Sequence, residues 1–176
     1  ATAVLPCGVD LRRFRPIPRR EARRELGLEP GGRYLLFPAD PGRAVKRHDR
    51  ARRVAELAAA ELLVTREVTP EQMPLWVNAS AAVLVTSESE GFGLAQLEAL
   101  ACGVPVLSTP VGVAPLAAGG VDGCLVAEFD AERWADAARA HLDAEDPRTG
   151  GGGMAPAFSA ERMAERVLEA YRTLCR

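Results

Sequence analysis

The sequence predicts an α/β fold, Rossmann-like, with a mostly parallel sheet of about five or six strands and helices on both faces. Two observations carry this expectation. Short apolar runs at residues 33–37, 60–65, 81–86 and 104–109 are mostly continuous rather than alternating, as strands covered by helices on both sides require. Residues 94–102 between two of them have helical character and are stopped by Gly103, so this stretch reads as strand, helix, parallel strand.

Residues 48–60 read as one helix and 60–65 as the strand after it. Thr69-Pro70-Glu71-Gln72 reads as a helix start, with Thr69 as N-cap, Pro70 in the first helical position and Gln72 closing a capping box. Thr149 and the four glycines 150–153 cannot hold regular structure cheaply, which predicts a mobile connection at 149–153 before a terminal helix over 159–174 capped by Ser159. Met163, Val167, Leu168, Tyr171 and Leu174 recur there at helical spacing, the pattern of ordinary core packing. There is no internal repeat.

The most informative stretch is Glu90-Gly91-Phe92-Gly93-Leu94-Ala95-Gln96-Leu97-Glu98, which leaves the carboxyl end of one strand and opens a helix. Ligands of open parallel sheets bind at that end, where free first-turn N–H groups favour anions such as phosphate. Gly91 and Gly93 permit positive φ and close approach of a ligand to the main chain, although any strand-to-helix turn can use glycine for steric reasons. Glu98 either lies on a solvent stripe or accepts hydrogen bonds from a hydroxylated ligand, since burying an unpaired carboxylate is costly. Glu90 is either a solvated loop residue or part of the same site.

From Ser87 to Leu94, and through Glu98-Ala99-Leu100-Ala101-Cys102-Gly103-Val104-Pro105-Val106, the chain resembles the E-x7-E region of retaining glycosyltransferases of family 4, which have the GT-B architecture. Leu5-Pro6-Cys7-Gly8-Val9-Asp10 with Phe14 and Pro16, the Arg43 and Lys46 region, Val111-Gly112, Gly123-Cys124-Leu125-Val126 before an Asp130-capped helix, and the closing helix follow in the family's order. The resemblance implies that residues 1–176 form the nucleotide-sugar-binding, C-terminal domain of such an enzyme, with the N-terminal acceptor domain absent. It implies that Glu90 binds donor-sugar hydroxyls, and that Phe92, Gly93 and Leu94, beside Gly91, offer backbone N–H groups. Glu98 would hold ribose hydroxyls, Lys46 would bind the diphosphate, and the turn ending at Val68 would lie against the base. The catalytic set would be Glu90, Lys46 and Arg43. A nucleoside diphosphate sugar is then the donor, with no cofactor and no metal required. The chain departs from the family where Ala39-Asp40 replaces a Gly-Arg pair. Arg43, three residues on, is expected to take the cationic role; alternatively it belongs with Lys46, Arg47 and Arg50 to a solvated face. Ala82 and Cys7 replace a usual Asp and Asn, and the stretch between Lys46 and Ala81 is contracted. Alternatives are a GT-B epimerase or phosphorylase, or a noncatalytic nucleotide-sugar-binding module. A phosphorylase needs a lysine for pyridoxal phosphate, and Lys46 is the sole lysine.

Composition bounds the partners. A net charge of -2 and a pI near 5.8 argue against nonspecific nucleic-acid binding. No apolar run approaches the roughly 18 residues of a membrane span, and the cytoplasm is the expected location. Cys7, Cys102, Cys124 and Cys175 have no zinc-type spacing and read as buried reduced thiols, with Cys175 the best candidate for an exposed one. Arg12, Arg13, Arg15, Arg19, Arg20, Arg23 and Arg24 read as a solvated face; a contact with an anionic membrane surface, an acidic acceptor or the other domain is the sharper reading.

Overall fold

The computed structural model describes residues 5–153 and 155–174. Five strands, β1 (Tyr34–Phe37), β2 (Glu61–Val64), β3 (Ala82–Val85), β4 (Val106–Ser108) and β5 (Leu125–Val126), form one sheet in the order β2-β1-β3-β4-β5. Every pairing is parallel, with Leu35 beside both Leu62 and Ala82, and Val83 beside Val106. Parallel neighbours need crossovers, and helices supply them: α2 (His48–Leu57), α3 (Met73–Ala79), α4 (Leu94–Ala101) and α5 (Ala114–Ala117), with α1 (Arg19–Glu25) before the sheet and α6 (Ala131–Leu142) and α7 (Ala160–Leu174) after it.

Alternate strand residues point to opposite faces, so each run feeds two cores. Leu35, Phe37, Ala82, Leu84 and Leu107 pack against Ala51, Val54 and Ala55 of α2 and Trp134, Ala135 and Ala138 of α6. Tyr34, Leu36, Val83, Val85 and Val106 pack against Val77 of α3, Leu97 and Leu100 of α4, and Phe158. The central strands β1, β3 and β4 are buried on both faces, which explains their unbroken apolar sequence. Gly103 adopts φ +68, while its N–H donates to Leu100 O and the Val104 N–H to Ala99 O, the paired bonds that end a helix and aim the chain back into the sheet.

Several sequence expectations need correction. α2 ends at Leu57, not at residue 60, because Ala59 turns left-handed (φ 49) and Ala60 bonds back to Ala55 O. α3 starts at Met73 rather than near Pro70. A helix begun at Pro70 would need an N–H from Pro74, which has none; the Thr69 N–H reaches Gln72 Oε1 at 3.3 Å, so half of the expected box forms. Gly150–Gly153 form a short 3-10 turn, not an irregular strip, with Gly151 buried against Leu100. Asp130 and Ser159 cap α6 and α7 as expected, accepting from Arg133 N at 2.8 Å and Arg162 N at 3.1 Å. The stripe on α7 is not core: Leu168 is 54% and Tyr171 64% exposed. The Leu174 side chain and Cys175 lie outside the described residues.

The arginine run is not one solvated face. Arg12, Arg15, Arg20 and Arg24 are exposed, but Arg19 and Arg23 are buried. Arg23 lies over the Tyr34 ring and donates to the Ala79 and Pro30 carbonyls; Arg19 donates to Ala144 and Glu145 carbonyls. Burial lowers the Arg19 pKa to about 10, with the neighbouring Arg23 adding to the effect. Cys102 is buried, its thiol pushed up to about 12 by burial, whereas Cys7 is exposed and Cys124 lies between.

Candidate functional site

The chain runs from β1 out to β2 and then back across β1 to β3, so connections leave β1 and β3 in opposite directions. A crevice opens at their carboxyl ends, the position ligands take in sheets of this order. A cavity of about 260 Å³ lies there, lined by Phe37 at the end of β1 with Pro38, Ala39 and Lys46 after it, Val85 at the end of β3 with Ser87 and Glu90 after it, and Gly93 to Gln96 with Glu98 at the start of α4.

Lys46 and Glu90 meet in it. The ammonium lies 2.6 Å from both carboxylate oxygens, and both side chains are largely buried, 15% and 12% exposed. The Ser87 hydroxyl donates to the same carboxylate at 2.7 Å, and the Thr109 hydroxyl holds the Ser87 carbonyl at 2.6 Å. Glu98 differs. Half-buried on the cavity wall, its carboxylate has no hydrogen-bonding or ion-pairing partner among the described residues. Burial raises its pKa above the usual carboxylate range, with Arg13 pulling the other way.

Gly93 caps α4 at φ 100, ψ 51, a conformation that strains any other residue, and a Cβ there would also press on the Gln96 side-chain oxygen. Gly91 is exposed, without positive φ and with nothing within 4 Å of a Cβ. Leu94 and Ala95 form the first turn of α4, whose N–H groups have no partner within the helix. Phe92 turns away: its ring packs on the core 6.4 Å from that of Phe158, and its carbonyl accepts from Val113 N. Gly112, at φ 56, packs directly against that carbonyl.

Arg43 is exposed at the edge of the turn, off the cavity wall and without an ion pair among the described residues. Asp40 shapes that turn by accepting from Gly42 N at 2.9 Å. Val68 also lies off the wall, half-buried beyond β2. Thus Lys46, Glu90, Gly93, Leu94 and Glu98 come together, whereas Arg43, Gly91, Phe92 and Val68 do not line the cavity. Sequence reasoning gave no role to Thr86, Ser87, Gln96 or Thr109. Gln96 left a trace, being a polar residue in an otherwise apolar helix; it is fully buried, its amide donating to Ser108 Oγ at 2.9 Å. Among the described residues no group of three or more His, Cys, Asp or Glu side chains could hold a metal ion.

The chain matches the family model described as glycosyl transferases group 1 over residues 41–144, more than half its length and all five of the cavity-lining residues that the sequence had singled out. It belongs to the group 1 glycosyl transferases. The D-inositol 3-phosphate glycosyltransferases of Nocardia farcinica and Segniliparus rotundus are 35% and 37% identical to this domain, over 96% and 98% of it. The alignments span 46% and 47% of those relatives, so this group 1 domain spans about half the length of the curated relatives it matches. Among solved structures, sucrose-phosphate synthase from Thermosynechococcus elongatus superposes with a TM-score of 0.78 at 24% identity, over 98% of this chain and 52% of its own. Anabaena HepE in complex with UDP and glucose superposes at 0.70 and 17%, over 94% and 55%. These likenesses show a shared Rossmann-like fold.

Proposed function

We propose that this domain binds the donor of a retaining glycosyltransferase, taking a nucleoside diphosphate sugar in the cavity between β1 and β3 for transfer to an acceptor held by another domain. The observation that carries the reading is the pairing of opposites in one cavity: a lysine ammonium and the first turn of α4 for phosphate, and the Glu98 carboxylate, partnerless among the described residues, for hydroxyls. As the sugar–phosphate bond breaks, negative charge grows on the diphosphate and positive charge on the ring. Lys46 and the α4 N-terminus stabilise the leaving group, Arg43 adds charge from the rim, and Glu90 orients the sugar. The departing phosphate assists the acceptor on the same face, so the step uses no protein nucleophile and needs no metal. The base lies towards the turn at Val68.

Transfer is expected to need the acceptor-binding domain, because holding two reactants in register supplies on the order of 7–11 kcal/mol of barrier reduction. A cytoplasmic location fits this donor chemistry, and among the described residues no helix is long and apolar enough to cross a membrane. The test is a thermal-shift screen of the chain against UDP, GDP, ADP and their sugars; UDP is the first choice because HepE was crystallised with it. A ligand in excess raises apparent stability by mass action, so one base should stand out. No shift with any of them would overturn the reading.

A further inference from the structure

Lys46 sits in a turn that is pinned from one place, the chain immediately after β3. The Thr86 side chain is fully buried and directs its hydroxyl at two successive carbonyl oxygens, those of Lys46 (3.0 Å) and Arg47 (2.9 Å). Two residues on, the Glu88 N–H donates to Val45 O at 2.9 Å, and the Glu88 carboxylate takes Arg47 Nη1 at 2.6 Å. Arg47 itself is left-handed, φ 51 and ψ 54, a conformation non-glycine residues avoid and hold only when their surroundings impose it. Its guanidinium is further fixed by Asp49, through Nε at 2.9 Å and Nη2 at 2.7 Å. Two residues after β3, Thr86 and Glu88, thus secure three successive residues of the turn, Val45, Lys46 and Arg47.

We infer that Thr86, aided by Glu88, is a positioning residue that aims Lys46 into the cavity by holding Arg47 left-handed. A lysine side chain has four free torsions, so its ammonium meets Glu90 reliably only if the backbone that carries it is fixed. The Thr86 hydroxyl is buried, does not line the cavity, and bonds only these two carbonyls among the described residues. Its consequence for donor binding rests on the function proposed above; its geometry does not.

The chain's single lysine makes the test direct. Lysine-selective 15N labelling gives one Nζ signal, that of Lys46, with no assignment needed. On the empty wild type this signal is expected to be displaced by Glu90→Gln, which marks the paired state. Thr86→Val, which keeps the shape and removes the donor, is expected to shift it away from the wild-type position, while Thr86→Ser stays there. Adding Arg47→Gly to Thr86→Val is expected to bring it part of the way back, because glycine enters the left-handed region without steric cost. Glu88→Ala, at an exposed position that leaves the fold intact, is expected to move the signal the same way by less. Nucleotide affinity should fall roughly tenfold in Thr86→Val. A Lys46 signal unchanged in both Thr86→Val and Glu88→Ala overturns the inference. A wild type that binds none of UDP, GDP and ADP counts against the donor-site reading alone, because the lysine signal is read without nucleotide.

Discussion

Lys46 Nζ lies 2.6 Å from each carboxylate oxygen of Glu90, so the residue proposed for phosphate and the residue proposed for sugar neutralise one another. Donor binding has to redistribute that pair. Glu90→Gln is therefore expected to leave nucleoside diphosphate affinity equal or tighter, since Lys46 no longer faces a competing charge. In a chain joined to its acceptor domain, the same change should lower turnover far more than it changes nucleotide affinity. Calorimetry and steady-state kinetics on that variant separate the two effects, and a large loss of nucleotide affinity would reassign Glu90 to the phosphate or base.

The rim should respond differently from the cavity wall. Lys46→Ala is expected to weaken nucleotide binding roughly tenfold or more, as loss of a charge-assisted bond does. Arg43→Ala should cost only a few-fold, because an exposed charge acts through screened water. Asp40→Asn keeps an acceptor for Gly42 N and removes a negative charge, so affinity should hold or improve. Loss of binding in Asp40→Asn with normal binding in Arg43→Ala would mean the two roles are reversed.

The buried arginines predict a contrast in stability. Arg23→Ala strips partners from the Ala79 and Pro30 carbonyls and removes a guanidinium from the Tyr34 ring, and should cost about 3 kcal/mol in denaturant unfolding. Exposed Arg24→Ala, one residue on, should stay within about 0.5 kcal/mol. Equal effects would restore the solvated-face reading.

Two glycines in one loop should behave as differently. Gly93→Ala meets both a left-handed backbone and Gln96 Oε1, and should lose more than about 2 kcal/mol or distort the start of α4. Gly91→Ala has open space and ordinary backbone, and should fall within about 0.5 kcal/mol.

Burial raises the Glu98 carboxyl pKa above its ordinary value of 4.5. The folded chain then holds this proton more tightly than the unfolded chain does. The contribution to stability is most favourable below the unfolded value and declines as pH rises through the folded one. Glu98→Gln removes the dependence, so the variant should gain thermal stability over the wild type at pH 7 and lose that advantage near pH 4. An advantage that is flat with pH would place Glu98 in solvent.

How much of this was legible in the sequence follows from which interactions are local. The double burial of β1, β3 and β4 and the glycine stop after α4 are written in runs of neighbouring residues, and so were readable. The start of α3 turned on one missing N–H at Pro74, which outweighed a good capping pattern upstream. The arginine run misled because seven arginines within residues 12–24 look solvated, whereas the carbonyls that bury Arg19 and Arg23 come from residues as far away as 79, 144 and 145. In the site, Glu90, Gly93, Leu94 and Glu98 share one short segment and were found together, and Lys46 followed from the family resemblance. The Thr86 clamp joins residues about forty positions apart and leaves no pattern in either segment.

The central claim is that a nucleoside diphosphate occupies the cavity with its ribose on Glu98. It is tested most directly by calorimetric titration of the wild-type chain and Glu98→Gln with UDP, GDP and ADP. A charge-assisted hydrogen bond contributes about 1.5–3 kcal/mol, so the nucleotide that binds the wild type should bind Glu98→Gln roughly tenfold or more weakly. Binding that is absent from the wild type, or the same in both proteins, would contradict the account.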